Sequence, residues 1–418
     1  MTAVITGLGV VAPTGVGADA HWRATLAGEL AVRPLESFDA SGYATRLAGQ
    51  ISDFDVDAYV PGRLAIQTDR WTWLAFAATG MALADAGYDP AAHDPYATSV
   101  ILGSGSGGNE FGQREIQALW SRGRKAVGVY QSIAWFYAAS TGQLAIHHGT
   151  KGPCGVLVAD AASGIDSLGW ADRAIRRGTG AVLAGGTEAP LAPYALTAQM
   201  AGGKMSTATD PRAGYKPFDR AAGGHVPGEG GAVLLVEDEE AVRARSGPAG
   251  YGTLAGYAAT HDAHHYRDTA PDGRQYARAI ELALARAGSV PSDIDMVLAD
   301  GAGRPDADAA EAHALCAVFG PHGVPVTAPQ GLAGRLLAGG SALNVATALL
   351  AMRAGVIPPV GNLDDPDPAY GLDLVRAPRE RPLRTVLVTA RGQGGFNSAV
   401  VLRGIPPRGA DSPATGGS

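Results

Sequence analysis

Cysteine is scarce in this sequence of 418 residues, which contains only Cys154 and Cys316. The two residues are far apart and neither belongs to a CxxC pair, so composition excludes a disulfide framework and a cysteine-based zinc site. Such a chain suits a reducing compartment, and we expect it in the cytoplasm. The cluster His261-Asp262-Ala263-His264-His265 has metal-binding side chains but lies in an unpatterned polar stretch, so a solvated loop without a metal is predicted.

The sequence also lacks an excess of basic charge and long apolar runs. It has 33 Lys and Arg against 40 Asp and Glu, for a net charge of −7, with both signs interspersed. This balance argues against a nucleic-acid groove or an anionic membrane surface as the main partner. The start MTAVITGLGV lacks a basic segment followed by a long apolar one, and no segment has the roughly 18 uninterrupted apolar residues of a membrane span. We expect a soluble, unexported protein.

What the sequence does have is a regular alternation of strand-like and helix-like segments. Short Val-, Ile- and Leu-rich runs closed by glycine predict buried strands at 3–10, 99–103, 155–159, 180–186 and 230–237. Apolar residues at helical spacing predict helices at 69–87 and 163–178. A similar order of segments follows Gly250, which predicts two similar α/β halves at 1–250 and 251–404. A flexible tail rich in Pro, Gly and Ser is predicted at 405–418.

Two glycine motifs raise the possibility of a nucleotide. Gly7-Leu8-Gly9-Val10-Val11-Ala12 and Gly103-Ser104-Gly105-Ser106-Gly107-Gly108 each follow a predicted strand. A dinucleotide fingerprint needs a helix that opens directly from the glycines. Pro13-Thr14-Gly15 interrupts the first motif and a further glycine extends the second, so we predict tight turns between packed strands and no cofactor.

The segment GVLVADAASGIDSLGW at 155–170 reads as a strand, a sharp turn and a helix. In many enzymes such an elbow presents a nucleophile at its tip. Here the residue nearest the tip is Ala161, which has no heteroatom. Cys154 lies before the strand instead of at the tip, so a buried or loop thiol is the preferred interpretation of this residue.

Three segments resemble the β-ketoacyl-acyl carrier protein synthases, the condensing enzymes of thiolase fold. They are ITGLGVVAPTG, GPCGVLVADAASGIDSLG and PFDRAAGGHVPGEGGAVLLVE, and the resemblance runs from end to end. The segments YQSIAWFYAASTGQLAIHHG and GRLLAGGSALNVA resemble one branch, the chain length factors, or ketosynthase β subunits, of bacterial type II polyketide synthases. The resemblance implies an α/β thiolase fold with two similar halves in a layered αβαβα architecture.

Active members of that family use an elbow Cys, two His residues and a gating Phe. Against the pattern C-[TS]-S-G-[LI]-D the nucleophile position is alanine. Against HGTGTxxNDxxE the His is an aspartate, although Asp308 and Glu311 persist. The second His is an arginine, and the Phe of G-F-G-G is a glutamine. The replacements are Ala161, Asp300, Arg335 and Gln393. The resemblance therefore implies a chain with no catalytic residues of its own, inactive when alone.

The implied role is that of a noncatalytic partner. It would pair with a Cys-bearing ketosynthase α subunit to form the tunnel in which a poly-β-ketone grows from units supplied on an acyl carrier protein. By resemblance the subunits pair along the elbow strand, here Val156 to Ala159, and the aromatic run Tyr130 to Tyr137 suits such an interface. The alternative is a self-sufficient condensing enzyme, thioesterase or esterase with Ser104 or Ser163 as a displaced nucleophile. The sequence leaves the product, the starter unit and the number of extension cycles open.

The resemblance also indicates a length gate in the segment GGNEFGQREIQALW at 107–120. It places Asn109, Gly112 and Ile116 where chain length factors close the far end of the tunnel. Their spacing of three and four puts them on one face if the segment is helical. Ordinary helix packing is the competing interpretation. Asn, Gly and Ile are smaller than the aromatic residues of some relatives, so we expect a comparatively long cavity and a long product.

Overall fold

The structure is a computed structural model that describes residues 1–405. The tail predicted at 405–418 lies, apart from its first residue, outside the described residues. Ten strands form the framework: β1 Ala3–Ala12, β2 Thr98–Gly103, β3 Gly155–Leu157, β4 Ala181–Glu188, β5 Gly230–Asp238, β6 Gly252–His261, β7 Met296–Leu298, β8 Pro325–Thr327, β9 Thr385–Gly392 and β10 Phe396–Arg403.

The two halves of the chain have the same strand topology. The strand order is β3-β2-β4-β5-β1 in the first half and β8-β7-β9-β10-β6 in the second. In each half the first three strands of that order are parallel, and the last two pairings are antiparallel. The halves are joined by a short pairing of β1 with β6, where Val4 faces Thr253. This common order confirms the two similar halves predicted from the sequence.

Seven main helices cover and separate the sheets: α1 Arg70–Ala86, α2 Asn109–Arg122, α3 Ala139–His148, α4 Ser163–Arg176, α5 Arg274–Ala287, α6 Pro305–Phe319 and α7 Leu337–Ala354. Helices α4 and α7 pack on each other and share a core with strands of both halves, so they form the middle layer. Helices α1 and α3 pack on the other side of the first sheet, and α5 and α6 on that of the second. The result is the five-layer αβαβα arrangement of the thiolase fold.

Helix α7 is apolar on all sides because it lies in this middle layer. By length and composition it could cross a membrane, but 78% of its residues are buried within the protein. A helix that is hydrophobic all round is expected at the centre of a large protein. We therefore assign α7 to the core.

Shorter elements connect these layers. The short strands are Gly15–Val16, Val32–Pro34, Leu47–Gly49, Val356–Ile357, Asp373–Leu374 and Arg379–Glu380. The short helices are Ala18–Ala27, Gly62–Gln67, Gln131–Ala134, Pro193–Met200, Pro211–Gly214 and Glu239–Ala244.

The first glycine motif lies inside β1, which confirms the strand predicted at 3–10 and excludes the tight turn also predicted at these glycines. Strand β1 continues through Gly7 and Gly9 as far as Ala12. A Cβ atom on Gly9 would lie 1.7 Å from the carbonyl oxygen of Ala78 in α1, so the helix backbone occupies the space of the missing side chain. The glycines are required for the close approach of α1 to the sheet.

Two glycine substitutions test this packing. Gly9→Ala should lower the free energy of unfolding by about 3 kcal/mol, because its methyl group would overlap the α1 backbone. Gly80→Ala is the matched control, since Gly80 is exposed on the same helix with no atom within 4 Å of an added Cβ. It should raise stability by about 0.5–1 kcal/mol through helix propensity. Equal effects of the two changes in denaturant unfolding would contradict the assigned packing.

Candidate functional site

The elbow between β3 and α4 has the geometry of a nucleophile elbow. A 3-10 turn at Asp160–Ala162 leads directly into α4, and Asp160 has a positive φ of 53°. The Ser163 hydroxyl accepts a hydrogen bond from the Ala159 amide at 2.7 Å and donates one to the Asp160 carbonyl at 2.8 Å. The Asp160 carboxylate accepts from the Gln393 amide at 2.8 Å. These hydrogen bonds hold the strained turn on both sides. The residue at its tip is Ala161, whose methyl group is buried.

The two residues at the His positions form an ion pair. The Arg335 guanidinium contacts both carboxylate oxygens of Asp300 at 3.2 Å, and its Nη2 also donates to the Arg391 carbonyl at 2.9 Å. Asp300 is buried, and the Arg335 side chain is 13% exposed. Together with Ala161 they line a void of about 20 Å³. The three replaced positions therefore converge in space.

This pair cannot perform the chemistry of two imidazoles. Burial acts to lower the pKa of Arg335, but the Asp300 carboxylate outweighs it and holds the pKa above the usual value. A guanidinium that stays charged transfers no proton, and an ionised carboxylate donates no hydrogen bond to an oxyanion. The positive charge of Arg335 is already neutralised by Asp300, so little remains to stabilise a developing negative charge.

The persisting acids hold the loop that carries Asp300. The Glu311 carboxylate accepts from the amides of Asp300 and Gly301, both at 2.8 Å. The Asp308 carboxylate accepts from the Gly303 amide at 3.0 Å. Burial raises the pKa of Glu311 to about 7, with Asp300 adding to the shift, and burial raises that of Asp308 to about 8. These two acids therefore keep a scaffolding role that does not depend on the lost His.

A cleft of about 340 Å³ lies beside the ion pair. Asp300, Arg335 and Gln393 line one part of it, and Asn109 lines another. The Gln393 residue is exposed. The only histidine that lines the cleft within residues 1–405 is His225, which sequence reasoning missed. Burial, assisted by Arg335 and other nearby cations, lowers its pKa to about 3, which makes it a weak base at neutral pH.

The proposed displaced nucleophiles are engaged in structural hydrogen bonds. The buried Ser104 hydroxyl accepts from the Gly107 amide at 3.3 Å, and Ser163 has the two bonds described above. Neither hydroxyl has a histidine among its hydrogen-bond partners in the described chain. Cys154 is exposed and precedes β3, so it lies before the strand, as predicted.

His261 ends β6, and the rest of the His261–His265 cluster is a loop, as predicted. Its one carboxylate, Asp262, is buried and accepts from Asn397 at 2.7 Å and from Arg391 at 3.2 Å. Within residues 1–405 no group of three or more His, Cys, Asp or Glu side chains is arranged to hold a metal ion.

The second glycine motif opens directly into α2, contrary to the sequence-based expectation. Two of its amides, however, already have a carboxylate partner, as does one amide in the first turn of α2. Glu188 accepts from the Gly105 and Ser106 amides and from the Ser106 hydroxyl, and Asp69 accepts from the Phe111 amide at 2.7 Å. Burial raises the pKa values of both acids to about 7. Two buried acids thus occupy the amides that a pyrophosphate would need and fix the start of α2.

The segment with the predicted gate is helical, so Asn109, Gly112 and Ile116 lie along one helix. Asn109 is buried at the cleft, whereas Ile116 is 43% exposed. The position of Gly112 is not open space, because a Cβ there would lie 2.6 Å from Cδ1 of Trp135. The extra room expected at Gly112 is therefore occupied by an indole that belongs to a different segment.

Comparisons with known proteins agree with this site. Domain families described as beta-ketoacyl synthase, N-terminal and C-terminal, match residues 2–241 and 251–364. The tetracenomycin polyketide synthase ketoacyl synthase beta subunit of Streptomyces glaucescens is 50% identical over 404 residues, which cover 96% of this chain and 98% of that protein.

Two solved structures share the fold over nearly the whole chain. The ishigamide ketosynthase/chain length factor has a TM-score of 0.89 at 26% identity, and a type II acyl-carrier protein in complex with its ketosynthase bound to the hexaketide (AntDE:AntF) has 0.87 at 27%. Each match covers 97% of this chain and 99% of the other.

The fold and the converging replaced positions define a condensing-enzyme subunit, and the chain belongs to the β-ketoacyl synthase family. Its relatives place it more narrowly, among the ketosynthase β subunits of type II polyketide synthases, which are also called chain length factors.

Restoring the nucleophile alone should not restore catalysis. The isolated Ala161→Cys variant should remain about 100-fold or more below an active ketosynthase, because Asp300 and Arg335 still replace both His residues. Product formation from malonyl-loaded carrier protein measures this. The control is the triple variant Ala161→Cys with Asp300→His and Arg335→His, which restores the Cys and both His residues. Substantial condensation by the single variant would show that the catalytic positions are misassigned.

Proposed function

We propose that this chain is the length-determining, noncatalytic half of a ketosynthase heterodimer, inactive alone and dependent on a Cys-bearing α subunit. The observation that carries the proposal is the blank elbow: its strand, turn and helix are intact, while its tip is Ala161 and the His positions form an ion pair. Selection for catalysis would not retain an alanine and an ion pair at the catalytic positions. Selection for the fold and its surface would retain the elbow without its catalytic residues.

The surface around the elbow supports a protein partner. Strand β3 is the outer strand of its sheet, so its outer backbone groups are open to pairing. Large apolar side chains are exposed on the neighbouring elements: Phe136, Ile146, Val158 and Trp170. Exposed apolar groups of this size at one sheet edge indicate an interface. Obligate interfaces of this kind commonly bury on the order of 2,000 to 5,000 Å².

The nature of the partners follows from the relatives. One structural neighbour is a ketosynthase in complex with a type II acyl-carrier protein and bound to a hexaketide. We infer that the assembled heterodimer receives malonyl units from such a carrier protein and keeps the growing poly-β-ketone in a tunnel between the subunits. Polyketide antibiotic biosynthesis in the cytoplasm, with neither nucleic acid nor membrane as a partner, is the setting that this role implies.

Residues of α2 suit the wall of that tunnel. Asn109 reaches the cleft, and the half-exposed Ile116 lies on the same helix. The buried acids Asp69 and Glu188 hold the start of α2, so the helix cannot shift easily when a chain presses on it. We propose that Asn109, Gly112 and Ile116 limit product length, with no metal or cofactor involved.

Assembly can be tested with a matched pair of valines. Val158 next to β3 is 52% exposed, and Val290 in the second half is 55% exposed. Val158→Asp should reduce co-purification with a tagged α subunit by about tenfold or more, because a charge would be buried in the interface. Val290→Asp should have no effect. Light scattering of the coexpressed wild type should give a heterodimer, and soluble monomers of both chains would refute the pairing.

Length control can be tested on one helix. Ile116→Trp should shorten the released chain by one or more two-carbon units, because the added bulk has to displace substrate in a close-packed wall. Gln117→Trp adds the same indole one residue further round α2 and should leave the length unchanged. Mass spectrometry of products from the reconstituted heterodimer gives the result. Normal assembly with unchanged length in Ile116→Trp would exclude this residue from the gate.

A further inference from the structure

The indole of Trp135 lies directly on the backbone of α2 at Gly112. A Cβ atom built on Gly112 would be 2.6 Å from Trp135 Cδ1 and 3.3 Å from Nε1. Carbon atoms in contact are normally about 3.5–4.0 Å apart, so no side chain at position 112 can coexist with the indole in this place. The tryptophan fills the volume that a residue at 112 would otherwise take.

The backbone of Trp135 is fixed to the same helix. Its carbonyl oxygen accepts a hydrogen bond from the Gly108 amide at 3.3 Å. A Cβ on Gly108 would lie 1.9 Å from the Ala134 carbonyl oxygen, and one on Gly107 would lie 2.9 Å from that of Trp135. The glycines that begin α2 therefore allow the segment at 134–135 to lie against the helix, and this contact determines where the indole points.

The indole occupies the middle of the face proposed as the tunnel wall. Gly112 lies three residues after Asn109 and four before Ile116, so the group on Gly112 lies between these two side chains. Trp135 is 48% exposed in the single chain, and nearby Tyr137 lines the cleft with Asn109. Nearly half of the surface of the rigid Trp135 side chain is therefore available to a substrate or a partner.

We propose that Trp135 is a length-determining residue, whose indole takes the blocking role that the missing side chain of Gly112 cannot. This inference rests on the proposed function of the α2 face. It implies that residues 112 and 135 act as one unit: a small residue at one position requires a large residue at the other. An apolar indole suits the uncharged poly-β-ketone that would contact it.

The test uses the reconstituted heterodimer with malonyl-loaded carrier protein. Trp135→Ala should lengthen the main product by at least one two-carbon unit, because the indole volume becomes available to the chain. Trp120→Ala is the control, since Trp120 is 84% exposed near the end of the same helix and should not alter length. The double variant Trp135→Ala with Gly112→Leu should return the product toward the wild-type length, an effect that a purely structural role would not produce.

The outcomes separate this inference from the function on which it rests. Unchanged length in Trp135→Ala, together with shorter products from Ile116→Trp, would refute the role of Trp135 and retain the gate. Unchanged length in both variants would refute the gate itself. If Trp135→Ala fails to assemble, the smaller change Trp135→Phe should still lengthen the product, and unchanged length in that variant would also refute the role of Trp135.

Discussion

The buried ion pair between Arg335 and Asp300 is the interaction on which the rest of the site depends. It brings two charges into the interior, where each is tolerated only because the other is present. Asp300 and Arg335 stand where active relatives have two His residues, so neither position offers a proton-transferring imidazole. Arg335 also donates a hydrogen bond to the Arg391 carbonyl near the end of β9. The segments that carry Asp300, Arg335 and Arg391 are therefore held together. The ion pair therefore acts as a structural link between these segments.

The other buried polar groups around the ion pair have structural roles. Ser163 closes the elbow turn, Glu311 and Asp308 hold the loop of Asp300, and Glu188 and Asp69 hold the start of α2. Each of these polar groups is buried and satisfied by backbone amides or carbonyls. Replacement would leave unpaired backbone groups in the interior, which costs free energy whether or not any chemistry occurs. Packing requirements are therefore sufficient to explain these retained motifs.

The proposed gate would divide a length-determining surface between two segments. Chain length factors are compared at positions along α2, yet here the indole that covers Gly112 comes from position 135. A small residue on the helix therefore does not imply an open tunnel. The volume at the wall is a property of both segments together, because close packing leaves no room for two side chains in one place.

The sequence by itself determined the blank tip at Ala161, the division into two similar α/β halves, and the identity of the residues at both His positions, because these depend on residue type and local periodicity. It did not predict that β1 extends to Ala12, that the second glycine motif opens into α2, or that strand β10 exists at Phe396–Arg403. Only the tertiary structure decided that Asp300 and Arg335 neutralise each other and that Trp135 fills the space at Gly112. These contacts join residues far apart in the chain, and their distances depend on how the layers pack, which no local pattern encodes.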